Sequence, residues 1–276
     1  MLSKYLNILR RLKHRYLLKK SFINYLHKNN LFLKKGNDFI IHDNKSKHDI
    51  YLRKKGSDID VFKQIFMDDE YKLLIQTIKA KEININIIVD LGANIGLSAI
   101  YFCNIFENSK IYAVEPDSQN FKQLRLNISN KKNIFTENVA IWSEKIDLIE
   151  NLAKPFKGGE DWSKTFIPSD QFNNGTKIKG ITIHELMTKY HLTTIDLLKI
   201  DIEGAERFIF DKKNNLSFLT QTKVIAIEIH DEFNKRTDIY NILKNYGFLL
   251  FETGELSVGI NHNLCLTGKS INEHCN

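Results

Sequence analysis

The stretch that decides the fold is Ile85–Gly96, which reads INIIVDLGANIG. Its first half is aliphatic, with almost no polar side chain before Asp90, as is typical of a central parallel strand that is covered on both faces. Gly92 and Gly96 then bracket a short turn, and Leu97–Phe106 has apolar residues at helical spacing. Ligands bind beyond the carboxyl ends of such strands, and glycine lets a ligand approach the backbone. The pattern therefore predicts a strand, a ligand-binding turn and a helix.

A second short strand is predicted in KIYAVEPD, residues 110–117, and it ends at Glu115. An acid about 20 residues after the glycine turn is placed to accept both ribose hydroxyls of a bound nucleoside. The alternative is that Glu115, which precedes Pro116, only ends a strand. Dinucleotide enzymes usually carry three glycines as G-x-G-x-x-G, whereas this turn carries two, which favours S-adenosylmethionine over NAD.

Two further strand ends are expected to reach the same ligand. The third strand lies in NIFTENVAIW, residues 133–142, and its end would pass the adenine ring. The fourth lies in TTIDLLKIDIEGAERFIF, residues 193–210, ends at Asp201, and neighbours the first strand in a doubly wound sheet. The expected cofactor-binding residues are Asp90, Gly92, Ala93, Asn94, Gly96, Glu115, Pro116, Asn138, Ala140 and Asp201.

Acids and a histidine are expected to converge on the acceptor side of the cleft. Glu228 and His230 end the fifth strand, KVIAIEIH, and lie two positions apart, which places them on one face. His230 is the first candidate for a general base because the ordinary pKa of histidine is near neutrality, and Asp201 is the second. The structural alternative is that the acids begin a helix and His230 closes a strand. The catalytic candidates are His230, Asp201 and Glu203, and the substrate-binding candidates are Glu203, Glu206, Glu228 and Tyr71.

The sequence assigns no metal site. Asp201 with a subset of these glutamates offers oxygen ligands for Mg²⁺, which is an alternative but not the favoured one. Cys103, Cys265 and Cys275 lack metal-ligand spacing and favour a reducing cytoplasm. No apolar run approaches the ~18 residues of a membrane span, so a soluble protein is expected.

Positive charge is concentrated at the N-terminus. Residues 1–37 hold ten Lys and Arg and no acid, so the net charge of +7 divides by subtraction into +10 for this arm and −3 for the rest. The apolar stripe along Leu2–Tyr16, with basic residues outside it, is typical of an amphipathic helix. The helix either packs on its own domain or docks, through residues 1–35, on an anionic membrane or an acidic partner. No nucleic-acid partner is expected, because the body lacks net positive charge.

Five stretches resemble the FkbM-type S-adenosylmethionine-dependent methyltransferases. They are RKKGSDIDVFKQIFMDDEY, DLGANIG, EPD, LLKIDIEGAE and IEIH, and they occur in the family's order between about Arg53 and Lys269. The resemblance implies an α/β, Rossmann-like class I methyltransferase fold with helices on both faces of a mostly parallel seven-stranded sheet. In that fold the last strand is antiparallel, and the final strands here would be Gly247–Glu252 and Asn261–Gly268.

The same resemblance implies O-methyl transfer from S-adenosylmethionine to a small-molecule or glycan acceptor. The expected acceptor is a sugar hydroxyl in a surface polysaccharide or glycolipid precursor, or in a nucleotide sugar. The alternatives are O-methylation of a secondary metabolite and a catalytically silent protein that binds S-adenosylmethionine. The enzyme is expected in the cytoplasm, with peripheral contact at the inner face of the membrane as the alternative. The sequence indicates no oligomeric state.

Three segments are expected along the chain. They are a basic amphipathic arm over residues 1–45, a cap segment of the catalytic domain over 46–82 and the methyltransferase domain over 83–270. A small sheet is predicted between Leu31 and Arg53, and Asp58 is predicted to cap a helix. A hairpin insertion is predicted in Ile146–Gly180, where Trp162 either stacks on a ligand or packs in the protein.

Overall fold

The aliphatic runs predicted as the first five strands of the domain each form a strand in the computed structural model. The structure describes residues 13, 17–35, 38–43, 48–54, 56–150, 165–169 and 176–265. The chain divides into two compact units, Met1–Asp69 and Glu70–Asn276. Within the described residues, no helix combines the length and the apolar character needed to cross a bilayer.

The first unit contains a helix, a small sheet and a second helical segment. The helix α1 covers residues 17–28, the antiparallel strands are β1 (Leu31–Lys35), β2 (Phe39–Asp43) and β3 (His48–Leu52), and α2 (Asp58–Phe62) continues into a π-helical turn, Lys63–Met67. The rings of Phe39 and Phe62 pack on Phe22, with centroids 6.4 and 5.4 Å from it. The predicted small sheet is therefore present. The apolar stripe predicted along Leu2–Tyr16 lies outside the described residues.

Asp58 does not cap α2, so that prediction was wrong. Ser57 occupies the N-cap position, where no side chain caps the helix. The Asp58 carboxylate is buried and instead accepts hydrogen bonds from Arg53, one from its main-chain nitrogen at 2.7 Å and one from Nη2 at 2.7 Å. A buried carboxylate needs a charged or hydrogen-bonding partner, and Arg53 supplies both.

The second unit alternates strands and helices. Its strands are β4 (Ile87–Leu91), β5 (Lys110–Val114), β6 (Ile134–Glu137), β7 (Ala140–Ile141), β8 (Ile146–Glu150), β9 (Phe166–Pro168), β10 (Lys177–Ile181), β11 (Ile195–Ile200), β12 (Thr222–Glu228), β13 (Phe248–Thr253) and β14 (Leu256–Asn261). Its helices are α3 (Lys72–Ala80), α4 (Leu97–Ile105), α5 (Ser118–Asn127), α6 (Ile183–Lys189), α7 (Glu206–Ile209), α8 (Arg236–Asn245) and α9 (His262–Cys265), with 3₁₀ turns at Ser217–Gln221 and Asp231–Phe233.

The main sheet of the described residues has seven strands in the order β13-β14-β12-β11-β4-β5-β6. From β12 to β6 the neighbours are parallel, whereas β14 runs antiparallel to both of its neighbours. This is the predicted α/β class I methyltransferase fold. The last strand lies earlier than predicted, because residues 262–265 are helical and β14 ends at Asn261. Gly259 permits close packing in this strand, since a Cβ there would lie 2.8 Å from the Ile225 side chain.

The centre of the sheet is buried on both faces. Every residue of β11 is buried, as are four of the five residues of β4. Each fully buried Leu or Ile side chain contributes about 1.5 to 3 kcal/mol of hydrophobic free energy. Because β4 lies between β5 and β11, the chain order reverses there, and a crevice opens at the carboxyl ends of these strands.

The predicted insertion forms a smaller sheet of order β7-β10-β8-β9 among the described residues. In this sheet β8 pairs antiparallel with both β9 and β10, and β10 is the strand expected at Lys177–Ile183 after the hairpin insertion. Trp162 lies outside the described residues. The smaller sheet begins directly after the third strand of the main sheet.

Candidate active site

The turn after β4 depends on glycine. Gly92, Asn94 and Gly96 have positive φ angles of 77°, 51° and 87°. A Cβ on Gly92 would lie 1.7 Å from the main-chain oxygen of Asp201, which leaves no space for a side chain. The amide of Gly92 donates to the carbonyl of Val114 at 3.0 Å. The turn is thus held between the ends of β5 and β11, as expected of a ligand-binding turn at the switch point.

The buried carboxylate of Glu115 stands at the tip of β5. Its Oε2 accepts from the main-chain nitrogen of Asn94 and its Oε1 from that of Asp117, both at 2.8 Å. Burial raises the pKa of Glu115 to about 7, although these two amide hydrogen bonds act in the opposite direction. The Asn138 side-chain amide donates to the carbonyls of Glu115 and Pro116 at 2.9 and 3.0 Å. Four of the predicted cofactor-binding residues therefore lie together.

A helix, α5, begins shortly after Glu115. Asp117 caps α5 by accepting hydrogen bonds from the main-chain nitrogens of Gln119 at 3.0 Å and Asn120 at 2.8 Å. Such a cap stabilises a helix by about 1 kcal/mol. It fixes the chain direction directly after Glu115, so that the carboxylate is held on a rigid corner.

A buried lysine that the sequence analysis did not single out connects the turn to β11. The Lys199 ammonium lies 3.2 Å from Oδ1 of Asp90 and 3.5 Å from Oδ2 of Asp201, and it donates to the Gly92 carbonyl at 2.8 Å. Burial lowers the pKa of Lys199, but the carboxylates of Asp90 and Asp201 outweigh burial and raise it overall. Asp90 is fully buried and also accepts from the Ser98 hydroxyl at 2.6 Å. Asp90 therefore lies beneath the turn.

Four acidic residues from two chain segments lie around His230. The exposed fraction of His230 is only 3%. Its Nδ1 lies 2.5 Å from Oε1 of Glu206, and its main-chain nitrogen donates to the same oxygen at 3.1 Å. Its Nε2 lies 3.2 Å from Oε2 of Glu203 and 3.4 Å from Oε1 of Glu228. Asp201 follows β11 in the same region, and one ligand atom each of Asp201, Glu203 and His230 lies within 4.8 Å of the other two.

The surroundings of His230 change its protonation. Burial lowers the pKa of the imidazole, but hydrogen bonds to Glu203 and Glu206 outweigh burial and raise the pKa to about 10. The expectation that His230 is the general base relied on its ordinary pKa. In this arrangement the ring is an imidazolium at neutral pH, which holds a proton and has no lone pair to accept another.

Two further local features concern Glu203 and Tyr71. Glu203 has a left-handed backbone, with φ of 53°, and Gly204 follows with φ of 89°. A Cβ on Gly204 would lie 2.3 Å from the Phe233 ring, so glycine is required for the turn. Tyr71 is buried, and its ring packs on Phe102 with centroids 4.8 Å apart. Burial raises the pKa of Tyr71 well above its ordinary value, and the carboxylates of Glu70, Asp90, Asp201 and Glu228 add to this effect in that order.

One predicted cofactor residue lies in a different element from the rest. Ala140 is buried in β7, where it pairs with Gly180 of β10 in the smaller sheet. Asn138, two residues earlier, stays beside Glu115. The chain therefore leaves the third strand of the main sheet between these two positions.

The model of the Methyltransferase FkbM domain matches residues 90–250, which is more than half of the chain. The chain belongs to the FkbM methyltransferase family. The predicted family and enzyme class are thereby confirmed, and the chain is an S-adenosylmethionine-dependent methyltransferase. The match covers the glycine turn and every predicted site residue except Tyr71.

Solved structures with a similar fold include members of several methyltransferase groups. Methyltransferase FkbM from Methylobacillus flagellatus KT is 17% identical with a TM-score of 0.40, and the alignment covers 64% of this chain and 44% of that chain. The Methanococcus jannaschii fibrillarin pre-rRNA processing protein is 13% identical with a TM-score of 0.40, covering 83% of this chain and 97% of that one. An rRNA methylase from Streptococcus thermophilus is 12% identical with a TM-score of 0.41, covering 70% and 96%. No curated protein matches the chain.

The residues at the turn fit S-adenosylmethionine. Gly92 packs against the main-chain oxygen of Asp201, which holds the turn at the carboxyl ends of the strands, where the amino acid end of this cofactor would lie. Within the described residues, Oδ1 of Asn94 is buried and has no hydrogen-bond partner, so it is available to a ligand. In the part of the chain that the structure describes, Glu115 forms no ion pair with a lysine or arginine and accepts from two main-chain amides, which suits a neutral ribose better than a phosphate.

Proposed function

We propose that this FkbM-family methyltransferase transfers a methyl group to a hydroxyl oxygen of a sugar. The acceptor is a surface polysaccharide or glycolipid precursor, or a nucleotide sugar. The observation that carries the proposal is the group of four carboxylates around His230 at the carboxyl ends of β11 and β12. Carboxylates are strong acceptors for the many hydroxyls of a sugar. Their negative charge also opposes the phosphate backbone of a nucleic acid.

The turn and the tips of β5 and β6 are proposed to hold the cofactor. Glu115 accepts the ribose hydroxyls, and the main chain of Gly92 and Ala93 makes room for the amino acid end. Asn138, beside Pro116, borders the adenine ring. S-adenosylmethionine supplies an activated methyl group when it is bound.

Gly96, Asp90 and Ala140 act indirectly in this proposal. Gly96 sets the bend at the start of α4, and Asp90 fixes the turn through Ser98 and Lys199. Ala140 supports the chain as it leaves β6. These three residues shape the pocket without contacting the reacting atoms.

Asp201 is the proposed general base. Its side chain is 32% exposed, so a substrate hydroxyl can reach it, whereas the His230 side chain is only 1% exposed. The proton of the acceptor hydroxyl passes to the Asp201 carboxylate as the oxygen–methyl bond forms. Alignment of that hydroxyl with the methyl group provides most of the remaining acceleration.

The other acidic residues are proposed to position the acceptor. Glu203 and Glu228 accept hydrogen bonds from further sugar hydroxyls, and Tyr71 donates one because its raised pKa keeps the phenol protonated. His230 and Glu206 keep these carboxylates in place. Association of residues 1–35 with an anionic membrane and a cytoplasmic location remain predictions from the sequence.

The test uses methyl-labelled S-adenosylmethionine with nucleotide sugars, lipid-linked glycans, a phenolic metabolite and RNA as acceptors. We expect label in a sugar, in a linkage that is stable to alkali as a methyl ether is. Asp201→Asn should lower kcat by roughly 10². Asp238→Asn is the control, because that exposed carboxylate pairs only with Lys235 among the contacts of the described residues. Label confined to RNA or to the phenol would overturn the proposed acceptor.

A further inference from the structure

We propose that the side chains of Asp201, Glu203 and His230 form a binding site for a divalent transition-metal ion, with Glu228 as a fourth ligand. The site lies at the acceptor end of the pocket. Its catalytic consequence rests on the proposed function, whereas its existence does not. The proposal departs from the sequence-based preference for a metal-free site, because the sequence alone did not bring His230 within 3.2 Å of Glu203.

The spacing of the donor atoms suits a common ion. Ligands about 2.0 to 2.2 Å from one ion lie roughly 3 to 3.5 Å from each other when they are adjacent in a tetrahedron or an octahedron. Nε2 of His230 lies 3.2 Å from the Glu203 oxygen and 3.4 Å from the Glu228 oxygen. Asp201 completes the set within 4.8 Å. Small rotations of these side chains would place Asp201, Glu203 and His230 around one ion, with Glu228 beside His230 as the fourth ligand.

His230 is held as metal-binding histidines usually are. Metal-ligating imidazoles almost always donate the hydrogen of the other ring nitrogen to a carboxylate, which fixes the ring and its tautomer. Here Nδ1 lies 2.5 Å from Glu206, whose side chain is 2% exposed. Nε2 faces Glu203 and Glu228. Glu206 is thus a positioning residue, and the nitrogen that faces the other carboxylates is the one that would bind the ion.

The local charge is the second, independent observation. Asp201, Glu203, Glu206 and Glu228 carry four negative charges, while His230 supplies one positive charge and Lys199 is shared with Asp90. Among the described residues, Oε2 of Glu206 and Oδ1 of Asp201 are buried and accept no hydrogen bond. Buried carboxylate oxygens are ordinarily paired or bound to a metal. A divalent cation that takes the place of the Nε2 proton of His230 raises the positive charge of the site by one, and the displaced proton passes to solvent.

The donor set selects the kind of ion. One imidazole nitrogen with carboxylate oxygens suits Mn²⁺, Fe²⁺ or Zn²⁺, whereas Ca²⁺ takes six to eight oxygen ligands and Mg²⁺ prefers oxygen ligands and water. An ion at this position would lower the pKa of a coordinated acceptor hydroxyl and so assist Asp201. Mn²⁺ is the suitable probe because its binding is seen directly by electron paramagnetic resonance.

The test titrates the metal-free full chain with Mn²⁺ in the absence of an acceptor. We expect one Mn²⁺ per chain in the wild type and at least tenfold weaker binding in Glu203→Gln and His230→Gln. Asp238→Asn should bind as the wild type does, because Asp238 is an exposed carboxylate outside the cluster. S-adenosylhomocysteine affinity, measured on each variant, checks that the cofactor end remains folded.

A second measurement uses only the wild type, so that it does not depend on the folding of a variant. Electron spin echo spectroscopy of the Mn²⁺ complex should show coupling to one imidazole nitrogen. No saturable binding up to millimolar Mn²⁺, equal affinity in Glu203→Gln and wild type, or the absence of nitrogen coupling would each overturn the site. None of these outcomes depends on methyl transfer, so failure of the metal site is distinguishable from failure of the proposed acceptor.

Discussion

The two ends of the pocket hold their acidic groups in different ways. At the cofactor end, one buried carboxylate, Glu115, is fixed by main-chain amides of Asn94 and Asp117. At the acceptor end, several carboxylates converge on the single imidazole of His230, and the contacts to that ring join side chains to side chains. The first arrangement follows from backbone geometry, whereas the second depends on which charges are present.

This difference predicts how each end responds to substitution. The cofactor end is sensitive to added volume, because Gly92 leaves no space for a Cβ. The acceptor end is sensitive to removal of a charge at constant size, because its carboxylates and imidazole balance each other. Steric and isosteric substitutions therefore separate the two ends.

The largest effect is expected from Gly92→Ala, which breaks the cofactor end. The added Cβ would lie 1.7 Å from the main-chain oxygen of Asp201, and main chain cannot move aside as a flexible side chain can. We expect calorimetry to show at least a hundredfold loss of S-adenosylhomocysteine affinity. Gly254→Ala is the matched control, since its φ is also positive, at 59°, but nothing lies within 4 Å. It should cost about 1 to 2 kcal/mol of stability and leave binding unchanged.

If Gly92→Ala binds the cofactor product as Gly254→Ala does, the steric account of the turn is incorrect. Thermal unfolding of both variants separates a local loss of the pocket from global unfolding. A folded Gly92→Ala protein without binding is the outcome that supports a pocket defined by the backbone.

A smaller effect is expected from removing the charge of Glu115 at the same end. Glu115→Gln should bind S-adenosylhomocysteine about tenfold more weakly at pH 8, since hydrogen bonds to a charged group are worth ~1.5 to 3 kcal/mol. In the wild type the pKa of Glu115 is raised to about 7, so the carboxylate is ionised above that pH and protonated below it. Affinity should therefore fall as the pH is lowered through 7, by about fivefold between pH 8 and pH 6.

The pH series also shows which group titrates. Asp117 and Lys199 act on Glu115 through their charges, so a variant that removes only the Glu115 carboxylate is needed to assign the pH dependence. Glu115→Gln should bind with equal affinity at pH 6 and pH 8. A wild-type affinity that is flat across this range would rule out Glu115 as the ribose acceptor.

Most of the fold and of the cofactor end could be predicted from the sequence because both are local. The aliphatic runs, the positions of Gly92 and Gly96 and the acid at the tip of the second strand are all visible within short stretches. The last strand was predicted too late because LSVGIN, which forms β14, contains a glycine in its middle. Sequence patterns assign such glycines to turns, although here Gly259 serves close packing.

The acceptor end could be predicted only as a list of residues. Glu203, Glu206, Glu228 and His230 were expected to share a cleft, but their distances depend on the left-handed turn at Glu203 and on the end of β12. The raised pKa of His230 follows from those distances, so its ordinary pKa was a poor guide. Lys199 could have been identified from the sequence, because a lysine inside a buried strand needs an acidic partner, which here is Asp90.

The smallest effect is expected from Tyr71→Phe, which tests whether the Tyr71 hydroxyl belongs to the acceptor end or to the cofactor end. The substitution keeps the ring that packs on Phe102 and removes only the hydroxyl. Because burial and neighbouring carboxylates raise the pKa of Tyr71, its hydroxyl is a hydrogen-bond donor at neutral pH. One such bond is worth about 0.5 to 1.5 kcal/mol, which corresponds to a rise of roughly two- to tenfold in acceptor KM.

Tyr112→Phe is the matched control for that substitution. Tyr112 is also a buried phenol, and burial alone raises its pKa, with no carboxylate contributing. We expect Tyr112→Phe to leave acceptor KM unchanged and both variants to keep the wild-type affinity for S-adenosylhomocysteine. Equal acceptor KM in the two variants would remove Tyr71 from the acceptor end. A loss of cofactor affinity in Tyr71→Phe would instead assign its hydroxyl to the cofactor end, because a group that contacts only the acceptor cannot change binding measured without one.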